Sequence, residues 1–156
     1  MAKAKKAIKW DEEASAAVNA RRKLPPLVEG YFAEGRALVN GNPPPEALHQ
    51  FRLHSKRLRY TLELFRPVYG PGLEQRLDGV REIQQYLGDL NDCAATERLI
   101  TAALPARAAE RKKMEAFLRV RAQQKTTDFR RYWRTAFDAA GREQLWTSYL
   151  KRVARG

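Results

Sequence analysis

Apolar positions recur along this chain with a helical period, and turn signals between them are few. LPPL at 24–27, NGNPPP at 40–45, YGPG at 69–72, LGDLND at 87–92, LP at 104–105 and Gly141 supply the punctuation. No stretch combines strict alternation with β-branched residues, so no sheet is expected. A first helix is expected to open at Asp11, Glu12 and Glu13, whose charges suit a helix N-terminus. It should stop or kink at Pro25-Pro26 and continue to about Leu38. The second runs from about Pro45 to Val68, with proline in its first turn. The third spans about 72–103, with any disturbance near Gly88, and the fourth, from about Pro105 to Ala140, is expected to be the longest. A short fifth carries Leu145 to Val153. Short connections between long helices imply antiparallel neighbours. The expected fold is therefore all-α, an antiparallel helical bundle of four to five helices. Residues 1–10 read as a basic tail, and 11–156 as a single domain.

The segment HQFRLHSKRLRY, residues 49–60, places two His, one Lys and three Arg within one helical stretch. At about 100° per residue, with His49 as zero, Phe51, Leu58, Leu62 and Phe65 gather between about 160° and 220° as a core stripe. Leu53, Tyr60 and Leu64 form a second apolar strip near 20–60°, roughly. Arg52, Lys56 and Arg59 fall between about 280° and 340°, beside His49 and with Glu63 among them. Gln50, His54, Arg57 and Thr61 make the ordinary wet face. A solvated face thus explains His54 and Arg57 but not the three cations held between apolar strips. Cations so placed are costly to bury unless carboxylates or an external anion neutralise them. The bland alternative is structural ion pairing and snorkelling. The fourth helix repeats the pattern: Met114, Leu118 and Tyr132 share a face with Arg107, Arg121 and Lys125, with only Asp128 nearby.

Charge points the same way. Thirty Lys and Arg oppose 18 Asp and Glu, a net charge of +12 in 156 residues. That excess predicts an anionic partner: nucleic acid, inorganic polyphosphate or an anionic surface. With 44% apolar residues the chain is not a disordered polycation. One cysteine, Cys93, excludes an internal disulfide framework and fits a reducing compartment. No run of 18 apolar residues reads as a membrane span, and MAKAKKAIKW lacks the long apolar region of a secretory signal. The expected location is the cytoplasm. A membrane-surface role fits poorly, because the cations do not lie opposite an apolar face.

HQFRLHSKRLRYTLELF, followed about twenty residues later by REIQQYLGDLNDCAA, resembles the CHAD family, the conserved-histidine α-helical domain. The likeness rests on His49, Arg52, the run from Lys56 to Tyr60 and LGDLND at 87–92. It covers about 45–140 well and the preceding segment loosely. The resemblance implies an all-helical protein that binds inorganic polyphosphate through basic residues, often at polyphosphate granules. Members usually contain two related halves, each with its own His-Arg motif. This chain has one copy of each motif, most like those of the second half, so a homodimer with an isologous interface is expected to supply the other.

Carried over residue by residue, His49, Arg52, Lys56 and Arg59 match the family's basic helix and agree with the wheel. Arg57 and Tyr60 also match, although Arg57 projects toward the wet sector. Arg81 precedes LGDLND and is expected to add a phosphate contact. Asp92 cannot bind phosphate and is expected to orient Arg52 or Arg81. Asn91 falls near the core stripe of Leu73, Leu77 and Val80 and should make an internal hydrogen bond. Arg107, Arg111, Arg121 and Lys125 rest mainly on periodicity. For His49 the residues leave two roles nearly level, donating to a phosphate oxygen or bonding a carbonyl and fixing helix packing, and the resemblance tilts toward the phosphate.

Other chemistries find little footing. There is no Walker A run, GxGxxG or GxSxG. His49 and His54 point about 140° apart and cannot share a metal as HExxH does. No Cys/His cluster exists for zinc, and nothing supplies a nucleophile. The expectation is a binding module without catalytic residues, metal or cofactor. Single-stranded nucleic acid would want aromatic platforms in the groove, whereas Phe51, Phe65, Phe117 and Phe129 sit at core spacing. A general nucleic-acid or polyanion binder, or an adaptor for an acidic partner protein, remains the alternative.

Overall fold

The computed structural model describes residues 7–152. In chain order they form α1 (Ala16–Asn40), α2 (Pro45–Leu64), a one-turn α3 (Arg66–Tyr69), α4 (Gly72–Ala103), α5 (Ala109–Tyr132) and α6 (Arg142–Arg152). A π turn, Trp133–Phe137, continues α5. No strand occurs among the described residues, and the fold is the expected all-α bundle. None of these helices is long and apolar enough to cross a membrane. Most of the basic tail, residues 1–6, and the expected end of the last helix at Val153 lie outside the described residues.

Several boundaries differ from the sequence expectation, each for a local reason. The first helix opens at Ala16, not at the acids 11–13. Ser15 Oγ caps it by accepting from the Val18 amide at 3.3 Å. Asp11 instead folds back onto Asn19, whose amide nitrogen donates to the Asp11 carbonyl and whose Oδ1 accepts the Asp11 amide, both at 2.8 Å. Pro25 and Pro26 lie inside α1 without ending it. Leu24, Pro25 and Val28 are all buried there, and this packing holds the segment helical against proline's propensity. The second helix stops at Leu64, short of Val68, because Pro67 has no amide to return to the preceding turn. The longest helix is α4, with 32 residues, not the fourth of the expected series. Gly88 does not interrupt it.

Two layers of contact organise the bundle. α4 packs against both α2 and α5, and α1 packs against α2 and α6. Trp133, fully buried in the π turn, sits among the rings of Tyr31, Phe32, Phe51, Phe129 and Phe137. Arg36 locks α1 to the start of α6 by two 2.7 Å hydrogen bonds to Asp138 and a further pair with Glu143.

For α2 the core stripe is as the wheel predicts: Phe51, Leu58, Leu62 and Phe65 are buried. The second apolar strip is not. Leu53, Tyr60 and Leu64 are 39%, 52% and 75% exposed, since the helices that flank α2, α1 and α4, leave that side uncovered. Arg52, Lys56 and Arg59 therefore sit between core and solvent, at the margin where α2 meets α4.

Candidate functional site

α2 and α4 run antiparallel, and two side-chain contacts mark their seam. Near one end His49 Nδ1 donates to Asn91 Oδ1 at 3.1 Å. Near the other, Arg81 Nη2 reaches Glu63 Oε1 at 3.4 Å. His49, Arg52, Lys56, Arg59 and Glu63 recur every three or four residues, so they share one face of α2. Because both end members touch α4, the intervening cations line the seam. All three are partly buried.

Their pairing is sparse. Among the described residues Arg52 and Lys56 form no ion pair. Arg59 lies 3.9 Å from Glu63, a long contact, and its guanidinium rests 4.6 Å over the Tyr60 ring. Its Nε is buried with no hydrogen-bond partner. An unsatisfied buried donor costs free energy that an added acceptor recovers. Chemically, this row offers forked and point-like cationic donors to a linear anion.

Arg81 is arranged differently. Its guanidinium meets Asp78 at 2.7 Å, Glu63 at 3.4 Å and Glu74 at 3.6 Å. The Asp78 hydrogen bond, ahead of the surrounding carboxylates, raises its already high pKa further. Asp92 was expected to orient Arg52 or Arg81, but its carboxylate pairs with neither. Eleven residues along a helix separate Asp92 from Arg81 by roughly 16 Å, whereas Asp78 lies one turn away. Asp78, Glu74 and Glu63 take the orienting role.

The two histidines part company. His49 makes the packing bond to Asn91, which is also the internal hydrogen bond expected of Asn91. It borders a cleft of about 820 Å³ between the start of α2, the second half of α4 and the stretch of α5 from Glu115 to Arg130. That cleft mixes Arg98, Arg119 and Arg130 with Glu46, Glu97 and Glu115. Its charges balance, so it is less suited to a polyanion than the seam. His54, expected on the wet face, is partly covered, and its Nδ1 bonds Glu34 of α1 at 2.6 Å. Arg57 is exposed.

On α5, Lys125 Nζ lies 3.0 Å from Asp89 Oδ2 of α4, and Gln85 Nε2 donates to the same carboxylate at 3.3 Å. Arg121 is exposed and forms no ion pair among the described residues. Leu118 of the expected mixed face is buried, but Met114 is 44% exposed. Arg111 turns back to bond Glu115 at 2.7 Å and the Leu104 carbonyl at 3.1 Å, a structural tie across the α4–α5 connection. Arg107 does not belong to the helix at all: it lies exposed in the turn before α5, whose first residue is Ala109.

The structure thus brings Arg52, Lys56, Arg59 and Arg81 onto one seam. It places Lys125 on the neighbouring α4–α5 contact and leaves Arg107 and Arg111 at the helix connection. The carboxylates were the gap in the sequence reading. Asp78 and Glu115 were legible from their spacing to Arg81 and Arg111. Asp89 to Lys125 crosses between helices and carries no local signal.

A family-model comparison matches the CHAD domain over residues 1–101. No match was found among curated proteins or among solved structures. The matched part takes in α1, which the motifs covered only loosely, and both helices of the seam, and it stops before α5. With 101 of its 156 residues, both of its sequence motifs and an all-helical bundle in agreement, the chain belongs to the CHAD domain family.

Proposed function

We propose that this chain is a binding module for inorganic polyphosphate, with the α2–α4 seam as its contact surface and no catalytic role. One observation carries the reading. Arg52 and Lys56 sit partly buried beside the core without an ion pair among the described residues, while Arg81, Arg111 and Lys125 each have a carboxylate at 3.0 Å or less. Unpaired cations at such a margin favour an external anion. A phosphate chain supplies closely spaced charge and acceptor oxygens and asks for no stacking face. Family membership favours the same ligand. Arg59 and Arg81 extend the row, and a second copy of the chain in an isologous dimer supplies a further one. The working location is the cytoplasm, at polyphosphate granules.

A general polyanion or nucleic-acid binder is the second reading, favoured by exposed Tyr60 under the Arg59 guanidinium. Competition separates the two. Labelled long-chain polyphosphate bound to the protein is displaced at about 150 mM salt, near physiological ionic strength, by unlabelled polyphosphate, single-stranded DNA, duplex RNA or orthophosphate. Displacement by polyphosphate alone supports the first reading. Equal displacement by nucleic acids, charge for charge, overturns it in favour of the second.

A further inference from the structure

Most glycines in the helices of this protein have a neighbour where a side chain would be. A Cβ on Gly35 would meet Trp133 at 2.0 Å, one on Gly72 would meet Tyr149 at 2.9 Å, and one on Gly79 would meet Phe137 at 3.4 Å. Gly88 differs. It lies deep inside α4, it does not adopt positive φ, and a Cβ there would have nothing within 4 Å. Glycine is among the poorest residues for a helix interior, and here neither packing nor backbone conformation calls for it.

Its position is defined by the two contacts of the seam. Gly88 is three residues before Asn91, and on the antiparallel partner Arg52 is three residues after His49. Gly88 is also seven residues after Arg81, and Lys56 is seven before Glu63. Equal steps from bonded pairs bring it level with both unpaired cations. Seven residues return a helix to nearly the same side, so Gly88 shares the face of Arg81. The next residue, Asp89, holds Lys125 of α5. The bare patch of α4 therefore lies between the cations of α2 and the lysine of α5.

We propose that Gly88 is the floor of the anion groove. Its missing side chain lets an unbranched phosphate chain lie against the α4 backbone, within reach of Arg52 and Lys56 on one side and Lys125 on the other. The inference rests on the polyphosphate reading and adds a shape requirement to it: a thin chain fits a floor that any side chain would raise.

The test compares wild type with Gly88→Ala, Gly88→Leu and Gly30→Ala. Gly30 is an exposed helical glycine of α1 that likewise has nothing within 4 Å, and it serves as the control. Each variant is melted and titrated with long-chain polyphosphate. Both alanine variants should melt about 2–4 °C higher, as expected for removing a helix-interior glycine from a chain of this size. Gly88→Ala should lose several-fold in polyphosphate affinity and Gly88→Leu at least about tenfold, while Gly30→Ala binds as wild type. Wild-type affinity in Gly88→Leu, with its circular dichroism unchanged, overturns the floor and leaves the polyphosphate reading standing. Failure of the wild type itself to bind polyphosphate removes both.

Discussion

Lys125 of α5 closes a 3.0 Å ion pair with Asp89 of α4, so this cation reaches the site already neutralised. The pair is only partly exposed, 27% and 23% at the two side chains. Asp89→Asn should free the ammonium and remove a negative charge next to the groove. Polyphosphate affinity should rise roughly 3–10-fold and the dependence of log K on log salt should steepen by about one unit. An unchanged affinity and slope in a salt series would place Lys125 outside the binding surface.

Contact residues and fold residues should separate cleanly on α2. Arg52→Ala and Lys56→Ala remove cations that no carboxylate balances, so each should weaken polyphosphate binding by about tenfold, the loss of a charge-assisted contact. Neither should lower apo stability, and relief of repulsion in a chain of +12 can raise it. Leu58 is buried, and Leu58→Ala should cost about 2–5 kcal/mol. Chemical denaturation beside binding titration distinguishes these. If Arg52→Ala proves as destabilising as Leu58→Ala while affinity holds, the stripe is structural.

The contrast between these residues also explains what the sequence disclosed. The core of α2 was legible because Phe51, Leu58, Leu62 and Phe65 repeat at a helical period, and period predicts burial whenever a partner helix exists. Leu53, Tyr60 and Leu64 repeat just as well and are exposed, because whether a helix covers a strip depends on tertiary neighbours. At Pro25-Pro26 the helix continues, as expected, and of the two outcomes open there the stop does not occur: propensity opposes a helix, and packing around Leu24 and Val28 outweighs it. In the site, the cations and their same-helix partners were visible, and partners on another helix were not. Asp78 belongs to Arg81 by spacing, but Asp89 finds Lys125 only once α4 and α5 lie side by side. Arg107 looked helical by period and lies in a turn, since the chain spends 104–108 on the connection.

The fold has a tight point where α1 meets the π turn. A Cβ on Gly35 would lie 2.0 Å from Cη2 of Trp133, whose indole is fully buried and ringed by other aromatics. The ring has no flexible end to withdraw. Gly35→Ala should therefore destabilise by about 1–3 kcal/mol or more through overpacking, despite alanine's better helix propensity. A melting temperature at or above that of the wild type would show that the interface between α1 and Trp133 yields.

Two buried tyrosines set the alkaline limit. Burial pushes the Tyr69 hydroxyl, which donates to the Leu150 carbonyl at 2.8 Å, up to about 12. Burial likewise raises Tyr31, bonded to Ser55 at 2.7 Å. A pKa raised on folding means that the folded state holds the proton longer. The associated stability is fully present below the unfolded value near 10 and is lost as pH rises toward about 12. Helical circular dichroism should hold to about pH 10 and collapse above it, with the late tyrosinate absorbance appearing together with unfolding. Complete titration of all tyrosines near pH 10 with the helices intact would contradict this.

Beyond the seam, the α4–α5 hairpin carries apolar side chains with little cover: Leu99 is 70% exposed, Phe117 and Val120 are each 65%, and Met114 is 44%. Along α5 only Leu118 and Phe129 are buried, so this helix has a single thin contact stripe for its length. The resemblance read from the sequence motifs carries the same expectation of a second basic row. Both features are accounted for if a second copy docks there, burying the apolar side chains and adding a second cationic row. Light scattering at micromolar concentration should then give twice the 17.9 kDa of one chain. Phe117→Asp with Val120→Asp should return the protein to a monomer without loss of helix, because both residues face solvent within the single chain. A wild-type monomer under these conditions overturns the dimer. Affinity for polyphosphate should then show no dependence on protein concentration.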